Sequence, residues 1–194
     1  MKKLEDYKKD ELTVDLMWAN VFGLIILIPT FLVYSLPYYF LWKQELIADF
    51  KNIISNASPL NMIITALIVF ATIILGIIFH ELIHGLVFAK FAKGGFKSIK
   101  FGIFWKMLTP YCHCKEALKV KHYILGAVMP AIILGIIPAI AAIAIGNFWL
   151  LIFGIFFTHA ACGDFLIINL LRKEDPESFV QDHPSEAGCY IFRQ

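Results

Sequence analysis

The sequence is poor in charged residues and in cysteine. Only 16% of its 194 residues are Asp, Glu, Lys or Arg, whereas an average soluble domain has about 25%. The four cysteines are scattered and too few for a secreted disulfide scaffold. The lysines lack the stacking aromatic residues and the motifs of nucleic-acid-binding proteins. No nucleic-acid partner is therefore expected, and a disulfide-stapled scaffold is excluded.

Apolar residues take the place of the missing charge. Hydrophobic residues make up 59% of the chain, and 18 residues are Phe. A soluble domain of this length cannot bury so many apolar side chains, because folding already leaves more than half of a protein surface apolar. The surplus must face lipid. The composition therefore predicts an integral membrane protein with the lipid bilayer as its first partner.

Four stretches reach the roughly 20 apolar residues that a membrane-crossing helix needs. They cover about residues 18–42, 60–89, 120–145 and 148–171. We expect an all-α integral membrane fold with four transmembrane helices in a single membrane domain, 1–194. Pro130 and Pro138 are expected to kink the third helix, and Gly146-Asn147 leaves room only for a tight turn before the fourth.

The basic residues are distributed unevenly between the segments that join these helices. With four spans, segments 1–17, 90–119 and 172–194 lie on one side, and 15 of the 17 Lys and Arg residues belong to this side, counting up to residue 122. Only Lys43 and Lys51 belong to the other side. The positive-inside bias predicts a multi-pass protein of the cell membrane with both termini cytoplasmic. Residues 1–17 are too acidic for a signal peptide, so the first span is expected to stay as an anchor.

Two connecting segments carry secondary-structure signals of their own. Residues 43–54 place their apolar side chains on one helical face, which predicts a short helix on the outer interface. In the central loop, Ser98–Ile103 alternates polar and apolar residues, and Thr109-Pro110 is a turn signal before Tyr111–Lys115. This pattern predicts a small β-hairpin between the second and third spans.

The second span contains the sequence His80-Glu81-Leu82-Ile83-His84, an HExxH motif. On a helix, residues i and i+4 share a face, so both imidazoles can bind one metal ion with Glu81 beside it. Zinc bound in this way lowers the pKa of a water molecule, and Glu81 can then accept its proton as a general base. Ionisable residues inside a membrane helix are costly and indicate a functional site. The alternative is a hydrogen-bonded structural cluster between helices.

A catalytic zinc ion needs a third protein ligand, and Asp164 is the first candidate. Counting about 1.5 Å per residue from the ends of their spans, His80, His84 and Asp164 lie at similar depths of roughly 9 to 15 Å. Gly163 is expected to allow close backbone approach. The alternative is a protonated or helix-bonded Asp164. His159 and His113 are weaker candidates, for an oxyanion-stabilising group or for the third ligand.

Two further polar segments do not indicate a definite chemical role. Cys112-His113-Cys114 has the spacing of a CxC metal ligand pair, but without a second pair this is a weak zinc signal, and a strand with alternating faces is favoured. The run Gln181–Glu186, which contains His183, is interpreted as a polar turn. Cys162 and Cys189 are expected to pack as small apolar residues, and the cysteines to be free thiols in a reducing compartment.

On these residues the chain resembles the bacterial membrane family of putative zincin peptidases. The segments that carry the resemblance are His80–Gly85 (HELIHG), Tyr111–Glu116 (YCHCKE), Gly163-Asp164 and Gln181–Glu186 (QDHPSE). More distantly, the layout is similar to site-2 intramembrane metalloproteases, in which an HExxH span, a middle span and a span bearing a ligand Asp form the core. This resemblance implies His80, His84 and Asp164 as zinc ligands, Glu81 as the base, and proteolysis of membrane-anchored protein substrates.

The leading hypothesis is therefore an intramembrane zinc metalloendopeptidase that acts near the cytoplasmic face. One alternative is a non-proteolytic membrane metal-binding protein or a pseudoprotease with a regulatory role. The other is a proton or metal-ion carrier, for which the sequence has no inverted repeat. Neither the identity of the substrate nor the oligomeric state follows from the sequence.

Overall fold

Helices long enough to cross a membrane dominate the fold. The computed structural model describes residues 7–104, 109–183 and 186–193. In chain order its elements are β1 (Lys8–Thr13), α1 (Leu16–Ser55), α2 (Pro59–Phe91), a 3₁₀ turn (Gly95–Ser98), β2 (Ile99–Phe104), β3 (Thr109–Cys114), β4 (Leu118–Lys119), α3 (Val120–Pro130), a π-helical stretch (Ala131–Ile136), α4 (Ile137–Ile145), α5 (Phe148–Ala160), α6 (Cys162–Leu171), β5 (Phe179–Asp182) and β6 (Gly188–Arg193).

Among the described residues, three helical stretches are long and apolar enough to cross a membrane: Met17–Ser55, Pro59–Phe91 and Val120–Ile145. Helices α5 and α6 pass the same test only together, as a pair bent by 42°. The first half of α2, from Pro59 to Ile74, consists almost entirely of exposed side chains. Large apolar side chains that face outward along a whole helix are expected where lipid is the solvent.

The first helix bends where the first span is predicted to end. Helix α1 has non-helical dihedral angles at Trp42 (φ −125°, ψ 31°), which divide it into two helical segments. There the Trp42 indole N–H donates a hydrogen bond to the Ile143 carbonyl, 2.7 Å away. The structure thus agrees with the predicted boundary between the first span and the helix 43–54 and joins the two by a kink.

The other helix boundaries follow local sequence signals. Ser58 caps α2 by accepting a hydrogen bond from the Asn61 amide at 3.2 Å, with Pro59 as the first helical residue. After Pro130 the helix continues as the π-helical stretch Ala131–Ile136, and Pro138 lies in the first turn of α4. Helix α4 ends at Gly146, whose positive φ of 71° suits glycine. Asn147 then caps α5, so the tight turn has the predicted form.

Strands form two antiparallel sheets, one of which the sequence analysis missed. β2 and β3 form the predicted hairpin, with Phe101 opposite Cys112. A second sheet of four strands has the order β1-β6-β5-β4. The prediction of an otherwise all-α fold was thus incomplete, and the polar turn assigned to Gln181–Glu186 was wrong for its first two residues, which belong to β5. Pairing of Lys8 with Arg193 spans nearly the whole chain, and local patterns cannot show such a contact.

Two clusters of buried apolar residues hold the elements together. The site-side cluster joins α2, α3 and α6 to both β-sheets, and its fully buried members include Cys114, Leu171 and Ile191. The distal cluster joins α1, α4 and α5 around Tyr38, Ala142, Leu151 and Ile155. Because the stretch from Val120 to Ile145 rises roughly 35–40 Å along its axis, the two clusters lie at opposite ends of the helices.

Candidate metal centre

The HExxH residues lie where α2 turns from exposed to buried. His80 and His84 are only 8% and 7% exposed, whereas the side chains of the first half of the same helix are exposed. Their spacing of four residues puts both imidazoles on one face, with ring centroids 4.9 Å apart. This face meets α3, the β2–β3 hairpin and α6. The buried half of α2 is therefore the half that carries the ionisable groups.

Asp164, in the first turn of α6, completes the group. Its Oδ2 lies 3.2 Å from His80 Nε2, and its Oδ1 lies 3.2 Å from His84 Nε2. The two Nε2 atoms are themselves 3.2 Å apart. Within the described residues this is the one group of three or more His, Cys, Asp or Glu side chains whose ligand atoms converge closely enough to hold a metal ion.

The equal separations of these three pairs of atoms fit zinc. Ligand atoms at 2.0–2.1 Å from a tetrahedral zinc ion lie about 3.3 Å from one another, close to the 3.2 Å observed here. His, His and Asp are also a donor set that zinc uses in catalytic sites. The residues present therefore suit the metal, and the fourth position of such a tetrahedron remains for water or substrate.

The orientation of His84 is fixed by a backbone carbonyl. Its Nδ1 lies 2.9 Å from the Gly126 oxygen in α3. A carbonyl can only accept, so Nδ1 carries the proton and the Nε2 lone pair of the neutral ring points towards His80 and Asp164. Metal-binding histidines are characteristically oriented by a hydrogen bond of this kind at the other ring nitrogen.

Glu81 lies beside this group and is bound by the hairpin. Its carboxylate accepts a hydrogen bond from the Cys112 backbone amide in β3. Glu81 lines two cavities that adjoin each other. One, of about 240 Å³, also contains His80, His84 and Asp164. The other, of about 340 Å³, is an almost wholly apolar groove between α2 and the hairpin.

The structure does not bring the weaker candidates into the metal group. His113, on β3, places its Nδ1 3.6 Å from Asp182 instead. His159 has a buried Nδ1 without a hydrogen-bond partner in the described part of the chain, and it does not join His80, His84 and Asp164. His183 Nε2 lies 3.2 Å from Glu11 of β1, in the four-stranded sheet.

For the cysteines and the glycine near the site, one expectation is confirmed and the other is wrong. The four cysteines are free, as expected. Burial, with the nearby carboxylates of Glu81 and Asp182, raises the pKa of the Cys112 thiol well above its usual range, and burial raises the pKa of Cys114 to about 11. Both thiols are therefore protonated at neutral pH. The reason offered for Gly163 was wrong, because a Cβ at this position would meet no atom within 4 Å.

Sequence reasoning missed two residues at the edge of the site. Tyr123 lines the smaller cavity, and its hydroxyl donates a hydrogen bond to Asp182. Asp182 belongs to the run Gln181–Glu186, which carried part of the family resemblance. The sequence therefore marked Asp182 as a residue of interest, but no local pattern indicated its contact with Tyr123 in α3.

Comparison with known proteins agrees with this geometry. A family model described as "Putative zincin peptidase" matches residues 72–179, which is more than half of the chain. The chain belongs to this family. Membership of the zincin peptidase family points to a metallopeptidase and implies zinc as its metal. The matched segment begins within α2 and ends at the first residue of β5, so it contains all the residues of the candidate centre and excludes α1 and β6. No curated protein and no solved structure matches the chain.

Proposed function

We propose that the protein is an intramembrane zinc metalloendopeptidase that hydrolyses peptide bonds of membrane-anchored protein substrates near the cytoplasmic face of the cell membrane. One observation carries the proposal. His80, His84 and Asp164 present three ligand atoms at equal separations of 3.2 Å, with Glu81 beside them, and two of them belong to a helix apolar and long enough to cross a membrane. The arrangement of an HExxH motif on one helix and a candidate ligand Asp on another also supports the distant similarity to site-2 proteases.

In the proposed arrangement the whole chain is one membrane domain with four spans. Helices α5 and α6 together make the fourth span, since each is too short to cross alone. The excess of Lys and Arg in segments 1–17, 90–122 and 172–194 favours the cytoplasm for these segments and for both termini. The centre would then lie about 12 Å below the cytoplasmic surface.

Each residue of the centre has a definite part in hydrolysis. His80, His84 and Asp164 would hold zinc, which when bound supplies a Lewis acid that polarises a scissile carbonyl and makes water more acidic. Glu81 takes a proton from the attacking water and returns it to the leaving amine. The hydrogen bond from the Cys112 amide keeps the Glu81 carboxylate in place for both transfers.

The apolar groove suits an unwound segment of a membrane-anchored substrate. A helical substrate must unwind before hydrolysis, because its carbonyls are otherwise hydrogen-bonded. The groove lies between Ile77, Ile78 and Leu82 of α2 and residues 101–103 of β2, and it reaches Glu81. Among the described residues β2 pairs with β3 alone, so its other edge can bind an extended segment as an added strand.

The deciding experiment compares wild type with Glu81→Gln in the purified full-length protein. Zinc content is measured by elemental analysis, and cleavage is followed with a model transmembrane substrate in proteoliposomes. We expect both proteins to bind one zinc ion and Glu81→Gln to lose cleavage by roughly 10²- to 10⁴-fold, the usual contribution of a general base. Glu45→Gln is the matched control, because it removes an exposed carboxylate from α1 and should change neither measurement.

The outcomes separate the alternatives. Full cleavage by Glu81→Gln, or wild type without zinc, would contradict the proposal. Zinc without cleavage in wild type would favour a metal-binding or pseudoprotease protein. Movement of protons or zinc across proteoliposomes that depends on His80, Glu81, His84 and Asp164 would favour a carrier.

A further inference from the structure

One carboxylate from the four-stranded sheet reaches into the site-side cluster. Asp182, in β5, accepts hydrogen bonds from the Tyr123 hydroxyl and from the Cys114 backbone amide, the latter at 2.7 Å. Its side chain is only 13% exposed. Burying a carboxylate costs free energy that a well-packed apolar residue would avoid. An acid at this position therefore needs a reason beyond packing.

A stack of rings connects this carboxylate to a candidate metal ligand. The Tyr123 ring stacks on Phe88, with ring centroids 5.1 Å apart and 25° between the planes. Phe88 in turn stacks on His84, at 5.9 Å and 12°. Asp182 binds the hydroxyl at the far end of this stack. A shift of Tyr123 would therefore be transmitted through Phe88 to the imidazole.

The hairpin gives a second connection, to Glu81. Residues 112 and 114 are two apart on β3, so their amides point to the same edge of the strand. The Cys114 amide donates to Asp182 at 2.7 Å, and the Cys112 amide donates to Glu81. Asp182 therefore fixes the strand that orients Glu81.

We propose that Asp182 is a positioning residue of the metal centre, which orients His84 through Tyr123 and Phe88 and orients Glu81 through β3. The part that concerns Glu81 rests on the proposed peptidase function, whereas the part that concerns His84 needs only a metal site. Asp182 lies beyond the segment 72–179 that the family model matches. It joins the extramembrane sheet to the centre.

The test uses the full-length protein with the variants Asp182→Asn, Tyr123→Phe and both together. Asparagine keeps the size of Asp182 but is a weaker acceptor, and phenylalanine removes only the hydroxyl. The first measurement is the affinity for Co²⁺, whose visible absorption reports binding at tetrahedral sites. We expect each single variant to bind Co²⁺ 10- to 100-fold more weakly, the range found when outer-shell partners are lost. The double variant should be no worse than the more severe single one, because both act through one contact.

The second measurement is hydrogen exchange of segment 109–118 in the metal-free protein. If Asp182 fixes β3, Asp182→Asn should speed exchange of the Cys114 amide at least tenfold. Where wild type cleaves a substrate, kcat should fall about tenfold in both single variants with KM little changed. The matched control is Glu177→Gln, which alters an exposed carboxylate near the same sheet, paired with Lys119 and Lys121, and should leave all three readouts unchanged.

Co²⁺ affinity and exchange that stay within twofold of wild type in Asp182→Asn and Tyr123→Phe would overturn the proposal, even if thermal stability falls. If Asp182→Asn does not fold, Tyr123→Phe decides, because it removes a single oxygen atom. A wild type that binds Co²⁺ but cleaves no substrate would contradict the proposed peptidase function. The comparison of Co²⁺ affinities would still decide whether Asp182 positions His84. Absence of metal binding in wild type would overturn the part that concerns His84, and hydrogen exchange would then decide only whether Asp182 fixes β3.

Discussion

Two buried tyrosines, one at each end of the helices, differ in the kind of hydrogen-bond acceptor that their hydroxyl groups contact. Tyr38, 1% exposed, is in the distal cluster and donates its hydroxyl hydrogen to the Gly146 carbonyl at 3.0 Å. Tyr123, 7% exposed, is in the site-side cluster and donates to the Asp182 carboxylate. The first acceptor is a backbone atom that the end of α4 leaves free in any case. The second is a side-chain carboxylate from another element, which also accepts a hydrogen bond from the Cys114 amide.

The two ends of the molecule differ in whether carboxylates are buried there at a cost in free energy. Trp42 follows the pattern of Tyr38, since it donates to the Ile143 carbonyl. Backbone acceptors at a helix end bring no new charge into an apolar cluster. At the site end, by contrast, the structure buries carboxylates from two elements, Asp164 of α6 beside His84 and Asp182 of β5 beside Tyr123. A cost of this kind is characteristic of functional sites and not of packing alone.

The largest expected effect comes from removing a carboxylate at the site end. Asp164→Ala leaves two histidines, one ligand short of a catalytic zinc site. Zinc affinity should fall by more than about 100-fold, beyond the loss expected for an outer-shell change. Competition with a chelator measures it. Asn169→Ala is the matched control on the exposed side of α6. Unchanged affinity in Asp164→Ala would show that the third ligand lies elsewhere, and His113 and His159 would be tested next.

A smaller effect is expected from one added methyl group within the ring stack. A Cβ at Gly126 would lie 2.5 Å from Phe88 Cδ1, whereas a Cβ at Gly163 would meet nothing within 4 Å. Gly126→Ala should destabilise the protein by about 1–3 kcal/mol through overpacking and also weaken Co²⁺ binding, since Phe88 must move. Gly163→Ala should do neither. Thermal unfolding and metal titration in detergent distinguish the two, and equal effects would contradict the packing described.

Tyr38→Phe tests the distal end. Losing one hydrogen bond to a backbone carbonyl should lower the free energy of unfolding by about 1 kcal/mol. Metal affinity and kcat should stay at the wild-type values, because nothing at this end contacts the centre. In Tyr123→Phe, by contrast, metal affinity and kcat should fall as well, as proposed above for the contact with Asp182. A loss of metal affinity in Tyr38→Phe would remove the distinction between the two ends.

The smallest effect is expected at the exposed edge of the sheet. Hydrogen bonds from Lys119 and Lys121 lower the pKa of Glu177 to about 2 from its ordinary value of 4.5. A carboxyl whose pKa is lower in the folded state stabilises the protein above its unfolded pKa, and this contribution is lost as the pH falls towards 2. Glu177→Gln should therefore lower Tm slightly at pH 7, and the difference should narrow below pH 4.5. Because the pair is exposed, high salt should reduce the difference at pH 7. A difference that grows with acidity would contradict the assignment.

The centre was more predictable than the sheet that supports it, for a physical reason. The spacing of His80 and His84 and the depth of Asp164 follow from the rise of a helix, so the sequence alone predicts that the three side chains lie at a similar depth. The contact of Asp182 with Tyr123 joins positions 59 apart on a strand and a membrane helix. The pairing of β1 with β6 joins positions 185 apart. No periodicity connects such residues, since their contact depends on how all the helices between them pack.

The position of β1 has a consequence for when the protein can act. In the described part of the chain, β1 precedes every helix and its partner β6 follows them. β6 also pairs with β5, where Asp182 lies opposite Cys189. The complete four-stranded sheet that carries Asp182 can therefore form only after the helices between β1 and β6 have been synthesised and packed. A nascent chain that already contains both histidines of α2 lacks this support until β6 has been synthesised, so the site matures late, after its own metal-binding residues are in place.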